Sequence, residues 1–257
     1  MCLLALAWQQ HNDYPLAVVA NRDEFYQRPT EAAHFWSDHS TIFGGRDLQA
    51  GGTWLGISRN GRFAALTNIR SPAQQNPEAR SRGELVRDFL LDQDSAISYC
   101  DKLLGVAENY NGFNLLTFDG ESLVFCNNQA MQIEPLSPGV YGLSNASLDT
   151  PWPKTRGATA RLRDWLNNPQ PVDDLATLLH SRKPADEHEL PSTGVSRELE
   201  QALSSQFIHM DDYGTRCSTG LLVHRSGHAE MFEQGYDRGT PSQSRYQRID
   251  HFLRWPV

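Results

Sequence analysis

The second residue of the chain is a cysteine, and its position allows two interpretations. Methionine aminopeptidases remove Met1 when the next residue is small, so Cys2 would become the N-terminal residue. It would then carry both a thiol nucleophile and an α-amino group, whose reference pKa of ~7.7–8.0 suits a general base. A small strand residue that is easily buried is the simpler explanation of a cysteine at this position.

A charged segment follows the second predicted strand and contains Arg22, Asp23 and Glu24. If the first two strands form a hairpin, the end of the second strand returns close to Cys2. An aspartate there can hold or orient the α-amino group, and an arginine can lower the thiol pKa below its reference value of ~8.5. A solvated turn that contains an Arg–Asp pair is the alternative interpretation.

Two asparagines and one arginine lie at the ends of predicted strands. Asn68 and Asn145 each end a strand, where a neutral and directional side-chain amide can stabilise an oxyanion. Asparagine is also a favoured turn residue, and turn formation is the simpler explanation for both. Arg216 precedes an apolar strand and offers a positive charge at its start.

The glycine pairs Gly44-Gly45 and Gly51-Gly52 permit close approach of the backbone to a ligand, or tight turns. They are not followed by the Gly-Lys-Ser/Thr sequence of a phosphate-binding loop. The chain also has no strand–G-x-G-x-x-G–helix unit, which argues against a dinucleotide cofactor.

The histidines give no indication of a metal site. His224 and His228 lie on either side of a predicted turn, and His34 and His39 fall in a polar segment. Neither pair comes with a matching set of carboxylates or cysteines. Neither a metal ion nor a cofactor is therefore expected.

Hairpins and short amphipathic segments predict the elements that position these residues. Short apolar runs, several of them joined by Asn-Gly, Asp-Gly or Ser-Gly turns, predict strands. The predicted hairpin partners are Cys2–Trp8 with Leu16–Asn21, Thr53–Arg59 with Arg62–Asn68, Asn114–Phe118 with Ser122–Cys126, and Cys217–His224 with Ala229–Gln234. Predicted helices are Gly83–Leu91, Ser95–Leu104 with Asp94 as its cap, Lys154–Leu166 and Val172–Leu179. Strands at both ends with helices between them indicate an α+β sandwich, in one domain that spans residues 1–257.

Composition excludes several classes of partner. The net charge is −8 and the 23 basic residues form no stripe, so neither a nucleic acid nor an anionic membrane surface is expected as a partner. No apolar run approaches the ~20 residues that span a bilayer. Four cysteines without a C-x-x-C spacing indicate reduced thiols, and the start lacks an export signal, so a cytoplasmic location is expected. The oligomeric state is not predicted.

Several motifs, in one order along almost the whole chain, resemble those of the NRDE family, also called the transport-and-Golgi-organisation family. The matching segments are Met1-Cys2, Ala20–Glu24, Gly44–Asp47, Gly51–Gly56, Arg82–Val86, Asn111–Leu116, Leu143–Lys154 and Tyr213–Arg216. So many ordered motifs are specific, and the chain is identified as a member of that family.

The family is similar in fold to N-terminal-nucleophile hydrolases, particularly the cysteine branch of bile-salt hydrolases and penicillin acylases. This resemblance implies a four-layer αββα sandwich, in which two antiparallel sheets pack between helical layers. It implies that Cys2 is the nucleophile and that Asp23 contacts its amine. Asn145 resembles the oxyanion asparagine of that branch, and Asn68 resembles a second site asparagine.

The resemblance also implies a role for two arginines. Arg22 and Arg216 are expected to bind substrate. Arg22 directly precedes Asp23, whereas the hydrolase branch usually has its arginine two or three residues before the aspartate. The guanidinium of Arg22 is therefore expected to point in a different direction from the arginine of that branch.

Two functions follow from the resemblance. The first is a cysteine amidohydrolase or acyltransferase that acts on non-peptide C–N bonds of a small amide or acyl substrate. The second is a non-enzymatic carrier of haem, lipid or acyl-CoA on the same fold, because eukaryotic relatives are linked to haem trafficking and to lipid or acyl-CoA metabolism. A pocket that brings Cys2, Asp23 and Asn145 into contact favours the enzyme, and an apolar cleft without that geometry favours the carrier.

Overall fold

A computed structural model describes residues 2–253, which build two antiparallel β-sheets. The first sheet has six strands in the spatial order β10 (Gly139–Leu143), β1 (Cys2–Trp8), β2 (Leu16–Phe25), β11 (Tyr213–Val223), β12 (Ala229–Asp237) and β13 (Thr240–Ile249). The second has seven strands in the order β3 (Thr30–Phe35), β4 (Ile42–Asp47), β5 (Leu55–Ser58), β6 (Phe63–Asn68), β7 (Phe113–Phe118), β8 (Leu123–Asn127) and β9 (Gln132–Pro135). The strands of the second sheet follow one another in chain order, with both α1 (Gly83–Leu91) and α2 (Ala96–Leu104) between β6 and β7. In the first sheet β11 pairs with β2 and joins distant parts of the chain.

Strand β1 shows how the layers form. Leu4 and Leu6 belong to the core between the two sheets, whereas Leu3 and Ala5 belong to a separate core on the opposite face. This division follows from the alternation of side chains along a strand. Both faces of β1 are covered, which explains why its sequence is an uninterrupted apolar run.

Helices cover the outer faces of both sheets. The α-helices within the described residues are α1 (Gly83–Leu91), α2 (Ala96–Leu104), α3 (Pro153–Asn167), α4 (Val172–Ala176) and α5 (Arg197–Ala202). Apolar residues of α1 and α2 pack on the second sheet, and those of α3 and α4 pack on the first. The predicted αββα sandwich is therefore confirmed. Within residues 2–253, none of the helices combines the length and apolarity needed to cross a bilayer.

The predicted glycine turns are confirmed. Gly61, Gly120 and Gly227 have φ angles of 81°, 99° and 91°, and each joins two strands that pair as predicted. Glycine adopts this left-handed region without the steric cost that a Cβ would add.

Two local predictions are corrected. The strand expected to end at Asn21 continues through Asp23, because Asp23 pairs with β11 on its other side. The charged segment is therefore part of a strand and not a turn. The cap of α2 is Ser95 rather than Asp94, since the Ser95 hydroxyl accepts a 3.2 Å hydrogen bond from the backbone N–H of Ser98.

Candidate functional site

A cleft of about 490 Å³ opens beside the first residue of β1. Cys2, Arg22 and Asp23 line it from the first sheet. Asn68, at the end of β6, and Trp54, just before β5, line it from the side of the second sheet. The cleft therefore lies at one end of the layer between the sheets.

Cys2 is partly exposed at this cleft and pairs with Arg22 across the β1–β2 ladder. Burial raises the pKa of the Cys2 thiol, although the positive charge of Arg22 and a hydrogen bond from the backbone N–H of Asp23 act in the opposite direction. The lowering of this pKa that is expected for a chain beginning at Cys2 therefore remains a prediction, and desolvation acts against it. The sulfur holds its proton at neutral pH and needs a base to become a nucleophile. Met1 lies outside the described residues, so its removal remains a prediction.

Asp23 is almost completely buried in the wall of the cleft. Its Oδ1 accepts a 2.7 Å hydrogen bond from Thr215 Oγ1, and the Tyr213 hydroxyl donates to its backbone carbonyl at 2.8 Å. Burial raises the pKa of the Asp23 carboxyl, and the positive charge of Lys154 opposes that shift. Asp23 is thus fixed in place and lies close to a buried ammonium group.

Lys154 is a buried site residue that the sequence analysis did not single out. It occupies the second position of α3, and its Nζ donates to the Leu203 carbonyl at 3.0 Å. Burial lowers the pKa of Lys154 to about 8, and the negative charge of Asp23 opposes the shift. A sequence signal was available, because the dipole at a helix N-terminus disfavours a lysine in the first turn. A locally unfavourable residue of this kind is typical of functional sites.

The two predicted asparagines meet, but only one lines the cleft. Asn145 is buried, and its Nδ2 donates a 2.8 Å hydrogen bond to the backbone carbonyl of Asn68. The hydroxyl of Ser144 donates to the Cys2 carbonyl at 3.0 Å, which ties the end of β10 to β1. Asn68 forms part of the cleft lining, and Asn145 lies behind it.

Arg22 is held against the second sheet. Its guanidinium stacks 4.1 Å from the centroid of the Trp54 ring, and Nη1 donates to Thr30 Oγ1 at 3.0 Å. Gly45 makes room for this arrangement, because a Cβ there would lie 2.2 Å from the Trp54 ring. Gly45, from the first glycine pair, therefore allows Trp54 to pack at the cleft wall. Contact with a ligand is not needed to explain this glycine.

Arg82 is a second cleft arginine that was noted only as part of a family motif. It immediately precedes α1, and Nη1 donates to the Gly112 carbonyl at 3.0 Å. Burial lowers the pKa of Arg82 to about 10, and the negative charge of Glu24 opposes that shift. The chain thus places a desolvated guanidinium on the wall of the cleft.

The structure does not bring Arg216 to the cleft lining. The β2–β11 ladder pairs Asp23 with Thr215 and Arg22 with Cys217, so Arg216 is the extra residue of a β-bulge. Its Nη1 donates to the carbonyls of Phe25 and Arg28, at 2.7 and 3.1 Å. Arg216 therefore stabilises the end of β2 and the turn after it.

A buried ion pair braces the chain next to Asn68. Arg70 Nη1 and Glu200 Oε2 are 2.8 Å apart, and their side chains are only 6% and 1% exposed. Glu200 Oε1 also accepts hydrogen bonds from the hydroxyl and the backbone N–H of Thr193, at 2.6 and 2.7 Å. The pair links the end of β6 to α5. Sequence reasoning missed it because the partners are 130 positions apart.

Together these groups are suited to acyl transfer. Cys2 can attack a carbonyl, Asn68 can donate to an oxyanion, and Asp23 can hold an ammonium. Within residues 2–253, one group of three side chains is close enough to share a metal ion, namely His224, His228 and Glu230. This group lies on β12 and the turn before it, away from the cleft.

The comparison of sequences gives matches over most of the chain. Residues 1–238 match the family model described as Transport and Golgi organisation 2. The chain is 37% identical to the Transport and Golgi organization protein 2 homolog of Bos taurus over 262 residues, which cover 95% of this chain and 94% of the relative. It is 38% identical to the Homo sapiens homolog over 242 residues, 87% of each protein.

The comparison of structures supports the fold. A mutant of the conjugated bile acid hydrolase from Clostridium perfringens matches with a TM-score of 0.51 and 9% identity, over 99% of each chain. At this identity the likeness concerns the fold alone, and it agrees with the expected N-terminal-nucleophile hydrolase architecture. Because its sequence matches the family model and the relatives almost end to end, the chain belongs to the Transport and Golgi organisation 2 family.

Proposed function

We propose that the chain is an N-terminal-cysteine amidohydrolase or acyltransferase that acts on a small amide or acyl substrate. The observation that carries this proposal is the placement of Cys2, Asp23 and Asn68 on one cleft. Cys2 and Asp23 come from one hairpin of the first sheet and Asn68 comes from the second sheet, and each is of a residue type that can serve acyl transfer.

The proposed reaction begins after removal of Met1. The α-amino group of Cys2 accepts the thiol proton, and the sulfur attacks the substrate carbonyl. The resulting oxyanion is held by the Asn68 amide and nearby backbone N–H groups. Collapse of this intermediate breaks the C–N bond, and the leaving amine takes the proton from the α-ammonium group. Water or another acceptor then cleaves the thioester.

Two features support the α-amino group as the base. Burial keeps the proton on the Cys2 sulfur, so a base is required. Cys2 pairs with Arg22 in the antiparallel β1–β2 ladder. The backbone nitrogen of Cys2 is therefore on the side of this pair that faces Asp23, the next residue of β2. A carboxyl group there suits an ammonium partner.

The charge of the cleft favours an enzyme over a carrier. The cleft is lined by four arginines and three acidic residues, namely Arg22, Arg28, Arg80, Arg82, Asp23, Glu24 and Asp47. A large apolar ligand such as haem would cover these charges without offering them hydrogen-bond partners. A small polar amide or acyl compound meets this surface at lower cost.

The proposal is tested by comparing three forms of the tag-free chain: wild type, Cys2→Ala and Cys100→Ala. Intact mass shows whether Met1 is absent, and a panel of short acyl amides and thioesters shows turnover. We expect a mature N-terminus at Cys2, turnover by the wild type and no turnover by Cys2→Ala. Cys100→Ala is the matched control, because Cys100 is a buried residue of α2 in the core between this helix and the second sheet. It should leave turnover unchanged.

The carrier function predicts a different outcome. Haem or an acyl-CoA would bind the wild type and Cys2→Ala with equal affinity, and neither protein would turn over any compound of the panel. Retention of Met1 together with this binding pattern would exclude the proposed enzyme.

A further inference from the structure

We propose that His224, His228 and Glu230 form a binding site for a divalent transition-metal ion of the Zn²⁺ class. The three side chains are partly buried, and one ligand atom from each lies within 4.8 Å of the other two. Two imidazoles and one carboxylate are a ligand set that such ions accept, with a further position left for solvent. The site is independent of the proposed acyl-transfer function.

The hairpin between β11 and β12 places the three side chains together. The backbone N–H of His224 donates to the His228 carbonyl at 2.8 Å, so these residues lie opposite each other across the turn. Glu230 follows two positions later on β12, and alternation along the strand puts it on the same face as His228. Spacing along the chain does not reveal Glu230 as a partner of the two histidines, because the three residues meet only across the hairpin.

Neighbouring side chains leave suitable ligand atoms available. His228 Nδ1 lies 2.9 Å from Ser226 Oγ, which leaves Nε2 for a metal ion. His224 Nε2 lies 2.8 Å from Glu230 Oε2, and a bound ion would replace the proton between them. The Tyr246 hydroxyl donates to Glu230 Oε1 at 2.5 Å, and hydrogen bonds of this kind orient metal-binding carboxylates.

Small side-chain movements complete the geometry. The two imidazole rings stack with centroids 3.7 Å apart, and bonds of ~2.0–2.1 Å to one ion require the ligand atoms to approach to roughly 3 Å. Rotation of the side chains supplies this movement while the backbone of the hairpin stays in place. The positive charge of Arg248 is paired with Asp250 at 2.8 Å, which reduces its repulsion of a cation.

The site is distant from Cys2. Six steps along β11 separate Cys217, which pairs with Arg22, from Val223, which precedes His224. At about 3.3 Å per residue this corresponds to about 20 Å. A metal ion would therefore join the two strands at the far end of the first sheet and would not take part in chemistry at the cleft.

The test is a titration of the tag-free, EDTA-treated chain with Zn²⁺ by calorimetry, in the Cys2→Ala background so that the accessible thiol does not contribute. We expect one ion per chain, and a tetrahedral-type visible spectrum when Co²⁺ is used instead. His228→Gln and Glu230→Gln should each weaken Zn²⁺ binding more than roughly 100-fold, and Tyr246→Phe should weaken it about 10-fold. His188→Gln, at an exposed histidine elsewhere, should leave it unchanged.

Thermal melting gives a second readout that does not depend on heat signals. Zn²⁺ should raise the Tm of the parent chain and not that of Glu230→Gln, since an ion that binds only the folded state stabilises it. Circular dichroism in EDTA shows whether the variants are folded. Equal binding by the parent and the double variant His224→Gln/His228→Gln, or the absence of stoichiometric binding by the parent, would overturn the proposal.

Discussion

Burial controls the protonation of the ionisable residues around Cys2. It raises the pKa of the Cys2 thiol and of the Asp23 carboxyl, and it lowers that of the Lys154 ammonium to about 8. All three shifts favour the neutral form of the group, because a charge is poorly solvated in the protein interior. Attraction between Asp23 and Lys154 opposes the shifts of both. With a pKa of about 8, the Lys154 ammonium is therefore expected to lose its proton close to physiological pH.

Lys154 gives a prediction about stability and pH. Its folded-state pKa of about 8 is below the unfolded value of ~10.4. Between these values the unfolded chain binds more protons than the folded chain, so this residue makes the free energy of unfolding rise with pH. Lys154→Met removes that rise, which amounts to roughly 3 kcal/mol in total. Urea denaturation of both proteins from pH 7 to about pH 10 measures the difference.

The control for this measurement is Lys183→Met, at an exposed lysine. Its stability should follow that of the wild type across the same range. Parallel curves for the wild type and Lys154→Met would show that burial does not perturb Lys154 as inferred.

The two asparagines predict unequal effects on catalysis. If the Asn68 amide holds the oxyanion, Asn68→Ala should lower kcat by roughly 10²–10³ and change KM little, as expected for a contact made in the transition state. Asn145→Ala should cost less, because the Asn145 amide contacts the Asn68 backbone behind the cleft lining. Steady-state kinetics with a substrate found for the wild type measures both effects. A larger loss for Asn145→Ala would assign the oxyanion contact to that residue.

At the scale of elements, the sequence was most informative where a pattern is local. Helix α1 was predicted with its observed bounds, Gly83–Leu91, since its apolar residues form one amphipathic face. Strand β13 was missed because its side chains are almost all exposed, so it shows neither an apolar run nor alternation. Strand β4 was missed because Gly44-Gly45-Arg46-Asp47 is typical of a turn.

The same distinction explains the outcome for the site. Cys2 and Asp23 lie on paired strands of one hairpin, so their proximity could be predicted from the sequence. Lys154 approaches Asp23 from a helix on another layer, and no pattern along the chain encodes that approach. The bulge that removes Arg216 from the cleft depends on how β11 pairs with β2, which also could not be read from the sequence.

The second glycine pair gives a prediction about the position of α1. A Cβ on Gly52 would lie 2.4 Å from the carbonyl carbon of Gly83, the first residue of α1. Gly52→Ala must therefore displace the start of this helix, and with it the cleft residue Arg82. We expect a loss of roughly 1–3 kcal/mol in stability, faster hydrogen exchange in α1 and reduced turnover.

Gly51→Ala is the matched control for Gly52→Ala. Gly51 has a φ of 73°, but a Cβ there meets no atom within 4 Å. The substitution should cost roughly 1–2 kcal/mol through backbone strain alone and leave the exchange of α1 amides unchanged. Equal acceleration of α1 exchange in both variants would contradict the packing role assigned to Gly52.

At the scale of the whole molecule, the two sheets share one core. Residues from both sheets form a single apolar cluster between them, and the helices add a separate cluster on each outer face. The cleft lies at one end of the shared layer, with walls from both sheets. A change in the packing of the sheets should therefore alter both stability and the shape of the site.

The shared core predicts that the two sheets unfold together, as expected of one domain over residues 1–257. Phe118 is buried on β7 and packs edge-on against Trp8 of β1, with ring centroids 5.6 Å apart. Phe118→Ala should lower the free energy of unfolding by about 3–5 kcal/mol, whereas Ile97→Ala, at an exposed position of α2, should change it by no more than about 0.5 kcal/mol. Hydrogen exchange can be followed by mass spectrometry across a urea series. Peptides of both sheets should show the same unfolding midpoint. Phe118→Ala should shift that midpoint equally for both sheets, because the substitution weakens an interface that both sheets need. Two separate midpoints, with only one of them moved by the substitution, would show that the sheets are independent units and that the single-domain prediction is wrong.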